Sequence, residues 1–252
     1  MSNKLKKIGV LTSGGDAPGM NAAVRAVVRS AVYNNIDCFG IYKGFEGLII
    51  DDFVKLNARG VNNIVNKGGT ILKSARSLEF RTKEGRKKAK TNLDKYEIDS
   101  LVVIGGNGSL TGAMLLEEEH GIKTIGIPGT IDNDLVGTRC TLGYDTALNT
   151  AVNAIDKIRD TASSHNRLFF IEVMGKGSGH IALNAGIGAG AEEVLIPEQN
   201  MGLDRLLGSL KKSEKSGKSA EADKAVSHLS YVVWLGVCLL YTSDAADEGL
   251  GV

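Results

Sequence analysis

Short runs of apolar residues alternate along the chain with stretches in which apolar residues recur at helical spacing. Most of the runs are continuously apolar, which is typical of strands buried on both faces of a sheet. The strands predicted in this way are Ile8–Thr12, Cys38–Tyr42, Leu101–Gly105, Thr124–Ile127, Leu168–Val173 and Glu193–Ile196. Helical stripes lie between them, over Met20–Ala31 and Ala147–Ile158. This alternation predicts a doubly wound α/β fold with a mostly parallel sheet.

Polar and basic segments indicate how the chain is organised. A boundary is predicted near Leu142–Tyr144, so that residues 1–142 would form one α/β domain and residues 143–233 a second, incomplete one. Basic residues dominate Arg81–Lys95, which is typical of a solvated helix face. Lys211–Lys224 mixes charges with Ser and Gly and is expected to be an exposed helix end or loop.

Charge and composition narrow the class of protein. The 252 residues carry 30 Lys and Arg against 29 Asp and Glu, so the net charge of +1 disfavours a nucleic-acid-coating surface. The longest apolar stretch, Tyr231–Tyr241, is too short to span a bilayer, and the amino terminus has no secretory apolar region. Cys38, Cys140 and Cys238 form no metal-ligand pattern, which fits a reducing compartment. We therefore expect a cytoplasmic protein with neither nucleic-acid nor membrane partners.

Two glycine loops follow predicted strands, at the position where open parallel sheets bind ligands. The first, Thr12–Asn21, pairs Gly14 with Gly15 ahead of a helix whose free N–H groups could receive a phosphate. A plain tight turn is the alternative. The second, Gly105–Ser109, has the same order of strand, glycines and helix but neither a Walker nor a dinucleotide spacing. It suits close packing against a polyphosphate, while Ser109 could also simply cap the helix.

A third loop, Pro128–Asp134, places Asp132 and Asp134 at the carboxyl end of a strand. Two carboxylates at this spacing can have different roles, one accepting a proton and the other facing a metal ion. An Asx-rich turn with solvated side chains is the alternative. Basic residues that could face the loops are Arg76, Arg167 and Lys176. The pattern alone indicates an α/β phosphate-handling protein and favours a kinase.

Taken together and in this order, the three loops resemble those of ATP-dependent 6-phosphofructokinases of the bacterial type. TSGGDAPGMNA and PGTIDND are highly specific, and the resemblance covers about Lys6–Lys212. Further matching stretches are GGTILKSAR, LVVIGGNGS, GYDTALNTAVNAIDKIRDTASSHNR, FFIEVMG and VLIPE. The resemblance implies transfer of the ATP γ-phosphoryl group to the 1-hydroxyl of fructose 6-phosphate with Mg²⁺, in glycolysis. It also implies that residues 1–142 bind ATP and that residues 143–233 are part of a sugar-phosphate domain.

The resemblance further implies roles for individual residues. Asp132 would accept the hydroxyl proton, with Arg76 and Thr130 beside it in the catalytic group. ATP would be held by Gly15, Arg76, Ser77, Gly106, Asn107, Gly108 and Ser109, and Mg²⁺ would lie nearest Asn107 and Asp134. The sugar phosphate would be surrounded by Thr130, Ile131, Asp132, Arg167, Met174, Gly175 and Lys176. Positions matching an ADP-type effector site at a subunit interface of a tetramer are Arg25, Arg29, Arg59 and Arg159.

Two positions differ from the family pattern, and two others bear on the choice of phosphoryl donor. Asn107 stands where an aspartate is usual, so its amide oxygen could ligate Mg²⁺ but would bring no charge. Lys176 replaces the usual arginine and lacks its bidentate fork. Pyrophosphate-dependent relatives typically carry an acidic residue at the position of Gly108 and a lysine at that of Gly129. Small residues here leave room for a nucleotide and favour ATP as the phosphoryl donor.

The end of the chain departs most from the family. A glutamate loop and a histidine–arginine sugar-phosphate clamp, which follow the strand near Val232 in the family, have no counterpart here. Residues 234–252, which include CLLYTSDAADE, look like a translated sequencing adapter and are expected to be a non-native tail, with a genuine strand and acidic tail as the alternative. Losing two or three charge-assisted hydrogen bonds would weaken sugar binding by about 3–9 kcal/mol. We therefore expect this exact chain to be inactive and poorly folded.

Three other functions are weighed against an ATP-dependent enzyme. A nucleotide-binding fragment without activity would bind Mg·ATP but not fructose 6-phosphate. A pyrophosphate-dependent phosphofructokinase would use the other donor. An NAD-binding oxidoreductase is disfavoured because no G-x-G-x-x-G follows a predicted strand.

Overall fold

The computed structural model describes residues 6–165, 169–191, 193–199 and 231–234. These residues divide into two compact units. The first contains residues 6–130 and 135–143, and the second contains residues 131–134 together with the described residues from 144 onward. The predictions for Arg167, for Lys211–Lys224 and for the tail after Trp234 lie outside the described residues.

The first unit is built on a sheet that has six strands among the described residues, in the order β3-β2-β1-β4-β5-β6. These strands are β1 Lys7–Thr12, β2 Asp37–Ile41, β3 Phe53–Leu56, β4 Ser100–Gly105, β5 Lys123–Thr130 and β6 Leu142–Gly143. All their pairings are parallel except that of β2 with β3, so the predicted α/β class with a mostly parallel sheet is confirmed. Because β1 lies between β2 and β4, the strand order reverses beside it, and such a switch point is where α/β sheets bind ligands.

Helices connect the strands of this sheet and cover its apolar residues. They are α1 Met20–Tyr33, α2 Phe45–Ile50, α3 Lys83–Lys95 and α4 Asn107–His120, with a 3₁₀ turn at Glu79–Arg81. Phe45 and Phe80 stack with ring centroids 4.0 Å apart. Gly112 of α4 allows this stack, because a Cβ there would lie only 3.0 Å from the Phe45 ring. The stack fixes the chain immediately after Arg76 and Ser77.

The second unit contains α5 Tyr144–His165, β7 Phe169–Glu172, α6 His180–Ala189, β8 Glu193–Val194 and β9 Tyr231–Trp234. Its described strands form a parallel sheet in the order β7-β9-β8. Ile155 of α5 is buried with Ala185 and Ala189 of α6, and Leu148 and Val152 pack against them. The helical stripe predicted over Ala147–Ile158 is therefore confirmed as a packing face. Within the described residues, no helix has both the length and the apolar character that a membrane span requires.

The expectation of strands buried on both faces was wrong for β5 and β7. Lys123, Ile125 and Gly126 of β5 are exposed, and exposed residues alternate with half-buried ones along β7. The sequence also did not predict β3 and β6. The β3 segment FVKL is short and mostly half-buried, and β6 has only two residues, so neither leaves an apolar run to detect.

The predicted solvated face of α3 is confirmed by exposed Lys83, Lys87, Lys88 and Lys95, whereas Arg86 of the same helix is buried. It is 5% exposed, and it donates to both carboxylate oxygens of Glu119 at 2.6 and 2.7 Å. It also donates to the backbone carbonyls of Phe80 and Arg81. The Arg86 guanidinium holds the pKa of Glu119 below its usual value of 4.5. The ion pair thus joins α3 to α4 and to the 3₁₀ turn.

We expect this ion pair to make the stability of the fold depend on pH in the acidic range. A carboxylate whose pKa is lowered on folding contributes stability above its unfolded pKa, and that stability is lost as the pH falls through the folded pKa. The melting temperature of the wild-type chain should therefore decrease more steeply below about pH 4.5 than that of Glu119→Gln. The exposed neighbour Glu118 gives the control, Glu118→Gln. If the melting temperatures of wild type and Glu119→Gln decreased equally below this pH, the ion pair would not be the source of the pH dependence.

The two described thiols differ in environment. Cys38 lies in β2, and burial raises the pKa of its thiol to about 12, so it stays protonated at neutral pH. Cys140 is exposed and also free. Cys238 lies outside the described residues.

Candidate functional site

The first glycine loop is tied by its backbone to the neighbouring strand. Ser13 N donates to Ile104 O at 3.0 Å, so the loop begins directly beside the end of β4. Gly14 and Gly19 have φ of 85° and 96°, values that favour glycine. Gly15 is exposed, and an added Cβ there would meet no atom of the chain within 4 Å. The loop therefore presents accessible backbone where β1 ends.

The second glycine loop packs directly against the first. A Cβ at Gly105 would lie 2.5 Å from Ser13 O and 2.7 Å from Ser109 Oγ, so only glycine fits. Gly106 is the N-cap of α4, without a side-chain cap. Asn107, Gly108 and Ser109 then form the first turn, and the alternative in which Ser109 caps the helix is wrong. Because the first N–H groups of a helix have no partner within it, this turn can bind an anion.

Thr130 ends β5 beside the second glycine loop. A Cβ at Gly106 would lie 3.7 Å from the Thr130 Cβ. The Thr130 carbonyl accepts a hydrogen bond from Thr141 Oγ1 at 2.6 Å, which fixes the strand end to buried Thr141. Residues from the ends of β1, β4 and β5 are therefore adjacent within the first unit.

Residues 67–73, which lead to Arg76 and Ser77, are held by buried polar side chains. Asn21 of α1 is 1% exposed; its Nδ2 donates to Lys67 O and Gly68 O, and its Oδ1 accepts from Ile71 N at 2.8 Å. Thr12 Oγ1 donates to Lys73 O at 2.9 Å and lies 2.8 Å from Thr70 Oγ1. A hydroxyl has one proton, so Thr70 is the donor in that last contact.

The chain continues directly from residues 67–73 to Arg76 and Ser77, which are predicted to bind ATP. Arg76 is exposed, as a group that meets a substrate from solution would be. Ser77 is half-buried, and its Oγ accepts from Phe80 N at 3.2 Å, so it also starts the 3₁₀ turn. All the residues predicted to hold ATP belong to the first unit.

We expect Asn21→Ala to loosen this segment. The substitution removes the partner of three backbone groups, and one buried polar group left without a partner costs about 1–3 kcal/mol. The free energy of unfolding should decrease by at least that amount, and the affinity for Mg·ATP should decrease with it because Arg76 is less well placed. Denaturant titration and calorimetry measure the two effects. Asn34→Ala, which removes one exposed hydrogen bond to Ser30 O, should change neither; equal behaviour of the two variants would contradict this role.

The acidic loop belongs to the second unit. Ile131, Asp132 and Asn133 are half-buried, and Asp134 is exposed. Asn133 has φ of 54°, in the left-handed region that asparagine tolerates. The carbonyl of Asp132 accepts a hydrogen bond from Ser178 Oγ at 2.8 Å. Ser178 follows the predicted sugar-phosphate residues, so the structure ties these two parts of the predicted site together.

The predicted sugar-phosphate residues after β7 form a tight turn. Ser178 N donates to Gly175 O at 2.8 Å, and Lys176 between them has φ of 53°. Met174 and Lys176 are exposed, whereas Gly175 is buried. Arg167, the remaining member of this set, lies outside the described residues.

The predicted effector arginines are split between the units. Arg25 and Arg29 lie one turn apart on α1, and exposed Arg59 follows an Asx turn formed by Asn57. Arg159 of α5 belongs to the second unit, where its guanidinium donates to Ala189 O at the end of α6. Nothing in the described contacts assigns these residues a ligand, and their effector role stays a prediction.

The oxygen donors present fit Mg²⁺ that arrives with a nucleotide. Asn107 and Asp134 are both exposed. The described residues contain no group of three or more His, Cys, Asp or Glu side chains that could hold a metal ion unaided. Mg²⁺ is usually bound by one or two protein oxygens together with substrate phosphates and water. Asn107 in the first unit and Asp134 in the second are each an oxygen donor of a type that Mg²⁺ accepts.

Sequence reasoning missed the polar residues that support the site. Thr12, Asn21, Thr70 and Ser178 are bound to backbone groups 46 to 61 residues away in the sequence, or to each other. The available signal was weak: Asn21 is a polar residue in the apolar stripe of α1, and Ser178 lies in a glycine-rich loop. Neither signal names a partner.

Comparison with known proteins identifies extensive similarity. The family profile described as Phosphofructokinase matches residues 7–228. ATP-dependent 6-phosphofructokinase 2 of Bacteroides thetaiotaomicron is 54% identical over 216 residues, which cover 86% of this chain and 66% of that protein. ATP-dependent 6-phosphofructokinase of Bacillus subtilis is 55% identical over 214 residues, covering 85% and 67%. The chain thus spans about two thirds of the length of these curated relatives.

Solved structures agree with this similarity. Phosphofructokinase from Saccharomyces cerevisiae matches with a TM-score of 0.80 and 39% identity, over 90% of this chain and 33% of that one. The pyrophosphate-dependent phosphofructokinase from Marinobacter aquaeolei matches with a TM-score of 0.76 and 20% identity, over 93% and 63%. At that identity the second likeness concerns the fold alone.

Proposed function

The chain belongs to the phosphofructokinase family, and from that premise we propose that its site transfers the γ-phosphoryl group of ATP to the 1-hydroxyl of fructose 6-phosphate. The products are fructose 1,6-bisphosphate and ADP, as in glycolysis. The observation that carries the proposal is the backbone contact of the two glycine loops, in which Gly105 packs on Ser13 O at the switch point of the sheet.

The glycine loops bind the triphosphate by backbone contact. Exposed Gly15 leaves room for close approach, and the first turn of α4 offers N–H groups and the positive end of the helix dipole. Arg76 adds a cation on a segment fixed by Asn21 and Thr12. Phosphoryl transfer depends mainly on positioning and on charge stabilisation, so this set supplies most of what the reaction needs from the nucleotide side.

Asp132 acts as the base that takes the proton of the sugar hydroxyl. The residue is half-buried, and its backbone carbonyl accepts a hydrogen bond from Ser178 Oγ at 2.8 Å. Met174, Gly175 and Lys176 follow on the same unit and bind the sugar phosphate, with Lys176 as the cation. Arg167 completes the set in this proposal.

Asn107 and Asp134 are the residues that would ligate Mg²⁺ in this proposal, with the remaining ligands supplied by phosphate oxygens and water. When bound, the ion neutralises charge on the phosphates. Because Asn107 contributes an uncharged oxygen, more of the binding free energy depends on Asp134 and on the nucleotide itself.

Packing at Gly129 supports ATP rather than pyrophosphate as the donor. Gly129 is buried, and a Cβ there would lie 3.2 Å from Ile104 Cγ2 and from Met20 Cε. A lysine, typical of pyrophosphate-dependent relatives, would have to displace these side chains. Gly108 is the second residue of α4 and has no side chain, so the acidic group typical of pyrophosphate-dependent relatives is absent at this position.

The missing sugar-phosphate clamp predicts that this exact chain is inactive, whereas the proposed function predicts turnover. Activity of the purified chain, which spans about two thirds of its curated relatives, is therefore to be measured directly. Calorimetric titration with Mg·ATP and a coupled assay for fructose 1,6-bisphosphate are run on one preparation. Binding together with product formation supports the proposed enzyme. Binding without product supports the alternative of a nucleotide-binding fragment, and absence of Mg·ATP binding contradicts both.

We also propose that the enzyme is a cytoplasmic homotetramer regulated by an ADP-type nucleotide. The cations for its phosphates come from exposed Arg29, Arg59 and Arg159 and from half-buried Arg25. Light scattering in the presence and absence of ADP tests the assembly and the effector together.

A further inference from the structure

Ser178 is a buried hydroxyl between two parts of the proposed site. It is 6% exposed, and its Oγ donates to Asp132 O at 2.8 Å. Ser178 Oγ also accepts from His180 N at 3.5 Å, and Ser178 N donates to Gly175 O at 2.8 Å. Because a serine hydroxyl has a single proton, the bond to Asp132 fixes its orientation.

The bond from Ser178 Oγ reaches residues 131–134, which are a short part of the second unit. Residues 131–134 belong to the second unit, whereas the residues on either side of them belong to the first. Asn133 has φ of 54°, in the left-handed region that asparagine adopts more readily than most residues. Ser178, at the start of the turn into α6, is joined to this segment 46 residues away in the sequence.

We propose that Ser178 is a positioning residue, whose hydroxyl fixes the backbone of Asp132 and thereby places the carboxylate that takes the substrate proton. The catalytic part of this inference rests on the proposed function. The positional part does not, because it concerns a contact within the second unit alone. The same residue joins the base to the Met174–Gly177 turn, because Ser178 N donates to Gly175 O while Ser178 Oγ donates to Asp132 O.

Amide hydrogen exchange of the purified chain tests the positional part without any need for turnover. In Ser178→Ala, exchange of the peptide containing residues 131–134 should become roughly 3- to 10-fold faster, the factor expected for loss of one hydrogen bond. Asn92→Ala is the control, since it removes two side-chain bonds to Leu48 O and Ile49 O in the first unit. It should leave the exchange of residues 131–134 unchanged. Equal exchange of this peptide in wild type and Ser178→Ala would overturn the proposal.

Kinetics test the catalytic part. Misplacement of a reacting group by about 1 Å can cost about a hundredfold in rate, so kcat of Ser178→Ala should decrease roughly tenfold to hundredfold. The affinity for Mg·ATP should stay at the wild-type value. Ser178→Cys should be intermediate, since a thiol is a weak donor, and a purely structural role would not give this order. Faster exchange of Ser178→Ala with an unchanged kcat would overturn the catalytic part. If the wild-type chain showed no turnover, the proposed function would be refuted, and the exchange result alone would decide the positional part.

Discussion

Asp132→Asn is expected to lower kcat for phosphorylation of fructose 6-phosphate by about 10²–10⁴, the contribution typical of a general base. The amide has the shape of the carboxylate but cannot accept the proton. The bond from Ser178 reaches the backbone carbonyl and is kept in the variant, so the loop should keep its place. The affinity for Mg·ATP should therefore be unchanged, because the residues proposed to hold ATP lie in the first unit.

Asp134→Asn provides the matched comparison for this variant. It removes the same charge two residues away, at an exposed position proposed to face Mg²⁺. Its activity should be restored in part by a higher Mg²⁺ concentration, whereas that of Asp132→Asn should not. If Mg²⁺ restored Asp132→Asn, or if both variants lost activity to the same degree and without rescue, the division of roles between the two aspartates would be wrong.

Gly15→Ala and Gly105→Ala are expected to fail in different ways. A Cβ at Gly15 meets no atom of the chain, so the variant should fold normally. It would occupy the space through which a phosphate reaches the backbone, and losing one charge-assisted hydrogen bond should weaken Mg·ATP binding roughly tenfold to hundredfold. At Gly105 the Cβ would lie 2.5 Å from Ser13 O, so overpacking should lower stability by about 1–3 kcal/mol.

Melting temperatures and calorimetric titrations of the two variants separate these effects. Gly68→Ala is the control, because Gly68 is exposed with open space around it and has no proposed ligand. It should match the wild type in both measurements. Wild-type affinity for Mg·ATP in Gly15→Ala would show that the first loop does not bind the nucleotide.

The sequence predicted those parts of the fold that follow from local pattern. β1 and β4 are largely apolar runs with glycines at or just after their ends, and Gly105 shows that close packing requires glycine there. β3 and β6 were missed because their few residues carry no pattern of their own and depend on pairing with β2 and β5. The exposure of Ile125 was missed because an apolar residue in a strand predicts burial, whether or not another element covers that face.

The candidate site was predicted to a similar extent. Residue types with their own chemistry, such as Asp132 and Arg76, can be identified from motifs. Asn21 and Ser178 act through backbone groups about 50 residues away, and a polar side chain does not indicate in the sequence which carbonyl it will reach. Their roles became visible only when folding had brought the partners together.

The central claim is that this site takes the phosphoryl group from ATP and gives it to fructose 6-phosphate. ³¹P NMR of the purified chain with fructose 6-phosphate, Mg²⁺ and equal amounts of ATP and pyrophosphate tests it in one tube. We predict that the ATP γ-phosphate signal decreases while the phosphate signals of fructose 1,6-bisphosphate appear, and that pyrophosphate is unchanged. Consumption of pyrophosphate, or unchanged signals from both donors, would contradict the claim.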